Sequence, residues 1–169
     1  TSKFGLSTSE IINVINYAKS RKYEDCISLL HFHIGSQVSN IRSIKEAVTE
    51  AGRIYVELTK LGINVEYFNV GGGLGVDYDG TKSNNQSSKN YSLDEYVADI
   101  VYGLKQLCEI EKVKMPNIIS ESGRSITAHH SCVVTKVLGK IHPSTAPFDT
   151  RKSSEEHIIV SNIDRKSVV

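Results

Sequence analysis

Apolar positions along this chain recur with two different periods, and the switches between them mark out its elements. Ile11, Ile12, Val14, Ile15 and Ala18 line one side of a helical repeat directly after Ser7-Thr8-Ser9-Glu10. That tetrapeptide has the spacing of a capping box, in which the hydroxyl and the carboxylate each satisfy a free backbone N–H at the helix start. It predicts a helix over about residues 8–20. From Ile27 to Ile34 the pattern becomes a short, nearly continuous apolar run stopped by Gly35, which predicts a strand buried on both faces. Ile41, Ile44, Ala47, Val48, Ala51, Ile54, Tyr55, Leu58 and Leu61 return to i, i+3, i+4 spacing, with Gly62 placed as a C′ glycine. A second strand is predicted over Val65–Val70, running straight into Gly71-Gly72-Gly73-Leu74-Gly75.

Residues 79–91, rich in Ser, Asn, Gly and Lys, read as an exposed loop. A second capping box, Ser92-Leu93-Asp94-Glu95, opens a helix that turns Tyr96, Val97, Ile100, Val101, Leu104 and Leu107 inward. Pro116 precedes a third strand, Asn117-Ile118-Ile119-Ser120, which ends at Glu121-Ser122-Gly123-Arg124. Such alternation of strand and helix is the pattern of a parallel α/β architecture. After residue 130 the character changes. Ser131 to Leu138 is β-rich and follows the third strand with no predicted helix between them, so the chain is expected to leave the parallel sheet there. The expected division is an α/β part over 1–130, the start of a β-rich segment over 131–141, and a polar, Pro-bearing linker or start of an insertion over 142–169.

Composition narrows the function without naming it. The 169 residues suffice for one packed domain, and 39% hydrophobic with 23% charged content suits a globular protein. Lys plus Arg number 20 against 19 for Asp plus Glu, so no charge excess points to a nucleic acid or an anionic membrane. No apolar run approaches the roughly 20 residues that span a bilayer. Thr1-Ser2-Lys3-Phe4-Gly5 has neither a signal h-region nor an initiator Met, which hints at sequence cut away upstream. Cys26, Cys108 and Cys132 are odd in number and widely spaced, which favours a reducing, cytoplasmic compartment and argues against a cysteine zinc site.

The chemistry-bearing residues gather at strand ends. His33-Ile34-Gly35-Ser36, Gly71-Gly72-Gly73 and Glu121-Ser122-Gly123-Arg124 each follow a predicted strand, at the end that carries the ligand in βα barrels and open α/β sheets. Glycines allow successive N–H groups to approach a phosphate with no Cβ in the way; the plain alternative is a tight turn. The spacing fits neither a dinucleotide fingerprint nor a Walker A loop. His33 reads as a satisfied structural histidine or as a site residue. His31 and His33 share one strand face and, with His129-His130, admit a metal-dependent hydrolase. Against that, adjacent histidines in extended chain point opposite ways, and no carboxylate-rich motif completes a ligand set. Glu121 and Arg124 would ordinarily form a surface ion pair. Their strand-end turn favours a ligand-facing arrangement, with Arg124 on a phosphate and Glu121 on a proton-bearing nitrogen.

Together these blocks resemble the fold-type III decarboxylases, which use pyridoxal phosphate on an alanine-racemase-like barrel, and within them the biosynthetic arginine decarboxylase family. The resemblance is carried by Lys3-Phe4-Gly5-Leu6, by His31 to Gln37, by Tyr67 to Gly80, by Asn90 to Tyr96, by Ile119 to Arg124 and by Thr127 to Ser131. It runs in order over about residues 2–140. The segments Ile34-Gly35-Ser36-Gln37 and Gly71 to Gly75 are similar to diaminopimelate decarboxylases as well; Asp77-Tyr78-Asp79-Gly80 and the segments after it resemble the arginine branch. The resemblance implies a partial TIM (β/α)8 barrel of about three βα units. It implies pyridoxal phosphate as cofactor, L-arginine as substrate, agmatine and CO2 as products, and a role in polyamine (spermidine) biosynthesis. It suggests a magnesium requirement and a homodimer or higher homo-oligomer.

By the same resemblance His33 stacks on the pyridine ring and, with Glu121, is one of the catalytic groups. Ser36, Gly71, Gly72, Gly73, Gly123 and Arg124 hold the phosphate. Glu121 pairs with the ring nitrogen and keeps it protonated, so that the ring can accept the electrons released as CO2 leaves. Phe68, Asn69, Val70, Gly71, Gly72, Gly73, Leu74, Gly75, Val76, Asp77 and Tyr78 form the stretch expected to meet substrate. Ser125 stands where a small residue such as Ala is common. The family's Schiff-base lysine is expected upstream of Lys3, and its reactive cysteine and acidic substrate residue in a C-terminal β-domain; no residue of this chain matches them. Decarboxylation by these 169 residues alone is therefore not expected. The alternatives are another basic amino-acid or diaminopimelate decarboxylase, a non-catalytic pyridoxal-phosphate-binding module, and the hydrolase. Residues 151–169 match the family weakly, as an insertion or a sequence running off its frame would.

Overall fold

Both capping boxes form. Ser7 and Ser92 are the N-caps of helices α1 (Thr8–Arg21) and α3 (Leu93–Glu111), and the Glu10 and Glu95 carboxylates each accept the cap's own N–H at 2.7 Å. Helix α2 (Ile41–Lys60) begins at Asn40, whose side chain accepts the Arg42 N–H. It ends with the Gly62 and Ile63 N–H groups returning to the Thr59 and Leu58 carbonyls, the paired bonds that close a helix C-terminus. The computed structural model describes residues 4–140; expectations for 1–3 and 141–169, including the linker or insertion over 142–169, lie outside the described residues.

Three short strands, β1 (Leu29–His31), β2 (Tyr67–Asn69) and β3 (Asn117–Ile119), pair in parallel in the order β1-β2-β3. The strands are shorter than the apolar runs that announce them because only three rungs are paired. Leu30, Phe68 and Ile118 stand in register as the middle rung. This row packs into the helix-side core with Val48, Ala51 and Tyr55 of α2 and Ile100, Leu104 and Cys108 of α3. Phe68 is wholly buried, its ring 5.6 Å from that of Phe32 and 6.0 Å from that of Tyr55.

The flanking rungs turn the other way, since successive side chains in a strand alternate faces. Leu29, His31, Asn117 and Ile119 are exposed. The expected burial of β1 on both faces is therefore not found: among the described residues, helices cover one side of the sheet only. A second correction follows β3. A short helix, α4 (Gly123–Thr127), and a 3-10 turn (Ala128–His130) intervene where no helix is expected. Residues 131–140 then form no strand, and all are exposed. A β-rich run becomes a strand only where a neighbour takes its backbone groups, and none among the described residues does. The unit containing the sheet ends at Cys132; residues 133–140 belong to a second unit. No helix among the described residues is long and apolar enough to cross a membrane.

Candidate functional site

The segments leaving the three strands are tied together at one edge of the sheet, and the glycines make that approach possible. Gly71 has φ +69°, and a Cβ there would stand 2.4 Å from the Phe32 carbonyl oxygen. Gly73 has φ +105°, and its Cβ would stand 2.9 Å from the Gly35 carbonyl oxygen. Only glycine lets the post-β2 chain lie this close to the post-β1 chain. The Val38 N–H donates to the Gly73 carbonyl at 2.9 Å, and Val38 and Leu74 form a parallel bridge. The run is not an open row of donors, however. Gly71 donates to Asn69 Oδ1 at 2.8 Å, and Gly72 donates to His33 Nδ1 at 3.3 Å. An acceptor at Nδ1 puts the proton of the neutral His33 ring on Nε2, and the imidazole is exposed.

Glu121 and Arg124 do not pair with each other; they face different partners. The Glu121 N–H donates to the Gly71 carbonyl at 2.9 Å. Its Oε1 accepts from the Asn69 amide at 3.1 Å and lies 3.7 Å from His31 Nδ1. Arg124 reaches across to the other strand-end segments: Nη2 donates to Ser36 Oγ at 2.8 Å and Nη1 to the Tyr78 hydroxyl at 3.2 Å. Gly123 opens α4 with open space where a Cβ would stand, so no neighbour dictates a glycine there.

The stretch Phe68–Tyr78 divides. Alternation sends Phe68 to the helix side, and Phe68, Val70, Leu74 and Val76 are at most 4% exposed, so any part they take in substrate binding must come from the backbone. Asn69, Asp77 and Tyr78 carry the polar side chains. Support comes from residues that spacing did not single out. Both ends of the Gln37 amide bond to Val76, Nε2 to its carbonyl at 2.6 Å and Oε1 from its N–H at 2.9 Å. The Tyr91 hydroxyl takes the Gly75 N–H at 2.9 Å and donates to the Val38 carbonyl at 2.7 Å. Ser88, wholly buried inside the expected exposed loop, donates to Asp77 Oδ1 at 2.6 Å.

His31 and His33 turn to separate partners. His129 and His130 lie in a 3-10 turn, not in the extended chain expected of them, with His130 Nδ1 2.6 Å from the Thr127 carbonyl. Among the described residues, no group of three or more His, Cys, Asp or Glu side chains is gathered to hold a metal.

The pyridoxal-binding domain of the pyridoxal-dependent decarboxylases matches residues 1–128. The chain belongs to this family. Its curated relatives include the biosynthetic arginine decarboxylase of Shewanella sediminis, 56% identical over 138 residues, which are 82% of this chain and 22% of that protein. The biosynthetic arginine decarboxylase of Geotalea uraniireducens is 55% identical over 176 residues, covering 98% of this chain and 28% of the relative. That similarity reaches past residue 140, beyond the motifs in the sequence. The chain thus spans roughly a quarter of the length of these decarboxylases. The crystal structure of the biosynthetic arginine decarboxylase from Campylobacter jejuni matches with a TM-score of 0.67 at 43% identity, over 72% of this chain and 20% of that one. Diaminopimelate decarboxylase from Helicobacter pylori, complexed with L-lysine, matches with a TM-score of 0.57 at 32% identity, over 74% of this chain and 28% of that one. The parallel sheet and its helices are accordingly part of a pyridoxal-binding decarboxylase barrel, and Glu121 and Arg124 diverge at its strand ends.

Proposed function

We propose that the full-length protein carrying this chain is a pyridoxal-phosphate-dependent decarboxylase that converts L-arginine to agmatine and CO2, and that these residues supply the cofactor-facing part of its site. The divergence of Glu121 and Arg124 at one mouth carries the reading. Pyridoxal phosphate presents a dianion at one end and a pyridine nitrogen at another, so it needs a cationic, hydroxyl-bearing cradle and a separate carboxylate. Arg124 with Ser36 suits the first and Glu121 suits the second.

In this reading Arg124, Ser36 and the backbone at Gly71, Gly72, Gly73 and Gly123 hold the phosphate, the Arg124 fork giving directional charge-assisted bonds. The exposed His33 imidazole stacks on the ring, its tilt fixed by the Gly72 N–H. Glu121 holds the proton on the ring nitrogen. Asn69 and His31 both lie against Oε1 of that carboxylate, which leaves Oε2 for the ring. When bound, the cofactor provides the sink for the electron pair left as CO2 departs. Of the stretch Phe68–Tyr78 assigned to substrate, Asn69 and Asp77 offer polar side chains on that side.

Arginine is favoured over diaminopimelate because identity is 43% to the Campylobacter arginine enzyme and 32% to the Helicobacter diaminopimelate enzyme. A cytoplasmic homo-oligomer in polyamine biosynthesis, with magnesium, belongs to the same proposal. The test is agmatine formation by the full-length protein supplied with pyridoxal phosphate. Glu121→Ala is expected to lower kcat by on the order of a hundredfold or more, with Lys60→Ala, on the outer surface of α2, unchanged. Decarboxylation of diaminopimelate and not arginine would move the assignment to the second substrate. Cofactor binding without decarboxylation of any basic amino acid would leave a binding module.

A further inference from the structure

The Tyr78 hydroxyl sits on the cationic side of the mouth, 3.2 Å from Arg124 Nη1, while the same guanidinium holds Ser36 Oγ through Nη2. A guanidinium has donors only, so the phenol oxygen must be the acceptor in this contact. Its own proton is then committed to some other acceptor, and Arg124 offers none. An arginine fork flanked by two hydroxyls, each accepting from it and each retaining an O–H, is a set of donors converging on an anion. The segment carrying Tyr78 is also fixed in place. Its N–H donates to the Ser87 carbonyl at 2.8 Å, Asp77 before it is held by the buried Ser88, and Val76 is gripped from both sides by Gln37, the neighbour of Ser36. Gln37 therefore joins the Ser36 and Tyr78 arms into one clamp before any ligand arrives, which lowers the ordering cost of binding.

Resting on the cofactor reading above, we infer that Tyr78 is a phosphate-binding residue of the cofactor cradle, the third arm beside Ser36 and Arg124, and not a contact to the amino-acid substrate. Tyr78 is 52% exposed, so Tyr78→Phe removes the hydroxyl without disturbing a packed core. The experiment is equilibrium binding of pyridoxal phosphate and of phosphate-free pyridoxal to the full-length apoprotein. KM for arginine is measured in parallel at saturating cofactor. Tyr78→Phe is expected to raise the Kd for pyridoxal phosphate by about tenfold, as for loss of a hydrogen bond to a charged group. The Kd for pyridoxal and the KM for arginine should stay within about twofold of wild type, a phosphate-specific loss that a merely structural role would not produce. An unchanged Kd for pyridoxal phosphate, an equal loss for pyridoxal, or a raised KM alone would each overturn the assignment. Arg124→Ala is the companion variant. If it too leaves the Kd unchanged, the cofactor reading itself falls; if it weakens binding while Tyr78→Phe does not, only the role of Tyr78 falls.

Discussion

The two sides of the sheet are built from the same three strands by opposite rules. Toward α2 and α3, Leu30, Phe68 and Ile118 enter a close-packed apolar core in which the aromatic rings of Phe32, Phe68 and Tyr55 meet edge to face or tilted. At the strand ends the side chains are polar and exposed, and their hydrogen bonds cross from one segment to another: Arg124 to Ser36, Asn69 to Glu121, Gly72 to His33. The first region draws its stability from area removed from water and tolerates no change of volume. The second holds its geometry through glycine-enabled backbone contact and directional bonds, and leaves charged groups able to receive a ligand. Damage to the core should cost folding; damage to the mouth should cost binding.

The largest effect expected on the first side is from Phe68→Ala, about 3–5 kcal/mol of destabilisation measured by denaturant unfolding of the full-length protein, since a fully buried ring is lost. A loss under about 1 kcal/mol would mean that the sheet and helices do not share one core. Gly71→Ala sharpens the contrast from the other side. Its Cβ would meet backbone atoms of Phe32 and His33, and its φ is in the region that favours glycine, so the strand-end segments must part. Cofactor affinity should fall at least roughly tenfold, with a stability change of about 1–3 kcal/mol. An unaltered affinity would show that the spacing of these two segments does not matter to the site.

The smallest effect concerns the loop behind the mouth. The Ser87 hydroxyl, then the Thr81 N–H and hydroxyl, hold the Asp79 carboxyl down from its usual 3.8 to about 2. A group with a lowered folded value stabilises above its unfolded value and loses that contribution as pH falls through the folded one. Order around Thr81 should therefore be constant from pH 5 to 8 on this account and fade from about pH 4 toward 2. Hydrogen exchange at the Thr81 amide reads it, and a transition near neutrality would contradict the assignment.

What could be read in the residues beforehand follows the same division. Ser7 with Glu10 and Ser92 with Glu95 announce their helices because a capping box is complete within four residues. The succession of three strands and two helices, and the segments that follow each strand, show in the alternating periods. The end of α3 was not legible: Lys112 takes the left-handed conformation, with φ 56°, at a place where glycine is the usual signal. Nor was α4, five residues with no side-chain cap. The partner choice of Glu121 and Arg124 was open because it is decided by Asn69, Ser36 and Tyr78, each more than 40 residues distant in sequence. Ser88 gave no sign of burial amid Ser and Asn. The β-rich run over 131–138 forms no strand among the described residues, where it has no pairing neighbour.

The central claim is that one mouth holds the two ends of the cofactor apart, phosphate on Arg124 and Ser36, ring nitrogen on Glu121. A crystal structure of the full-length protein with pyridoxal phosphate bound tests it most directly. The account predicts the phosphate against the Arg124 guanidinium and Ser36 hydroxyl and the pyridine nitrogen against the Glu121 carboxylate. A cofactor bound with its phosphate away from Arg124, or with Glu121 pointing off the ring, would contradict it.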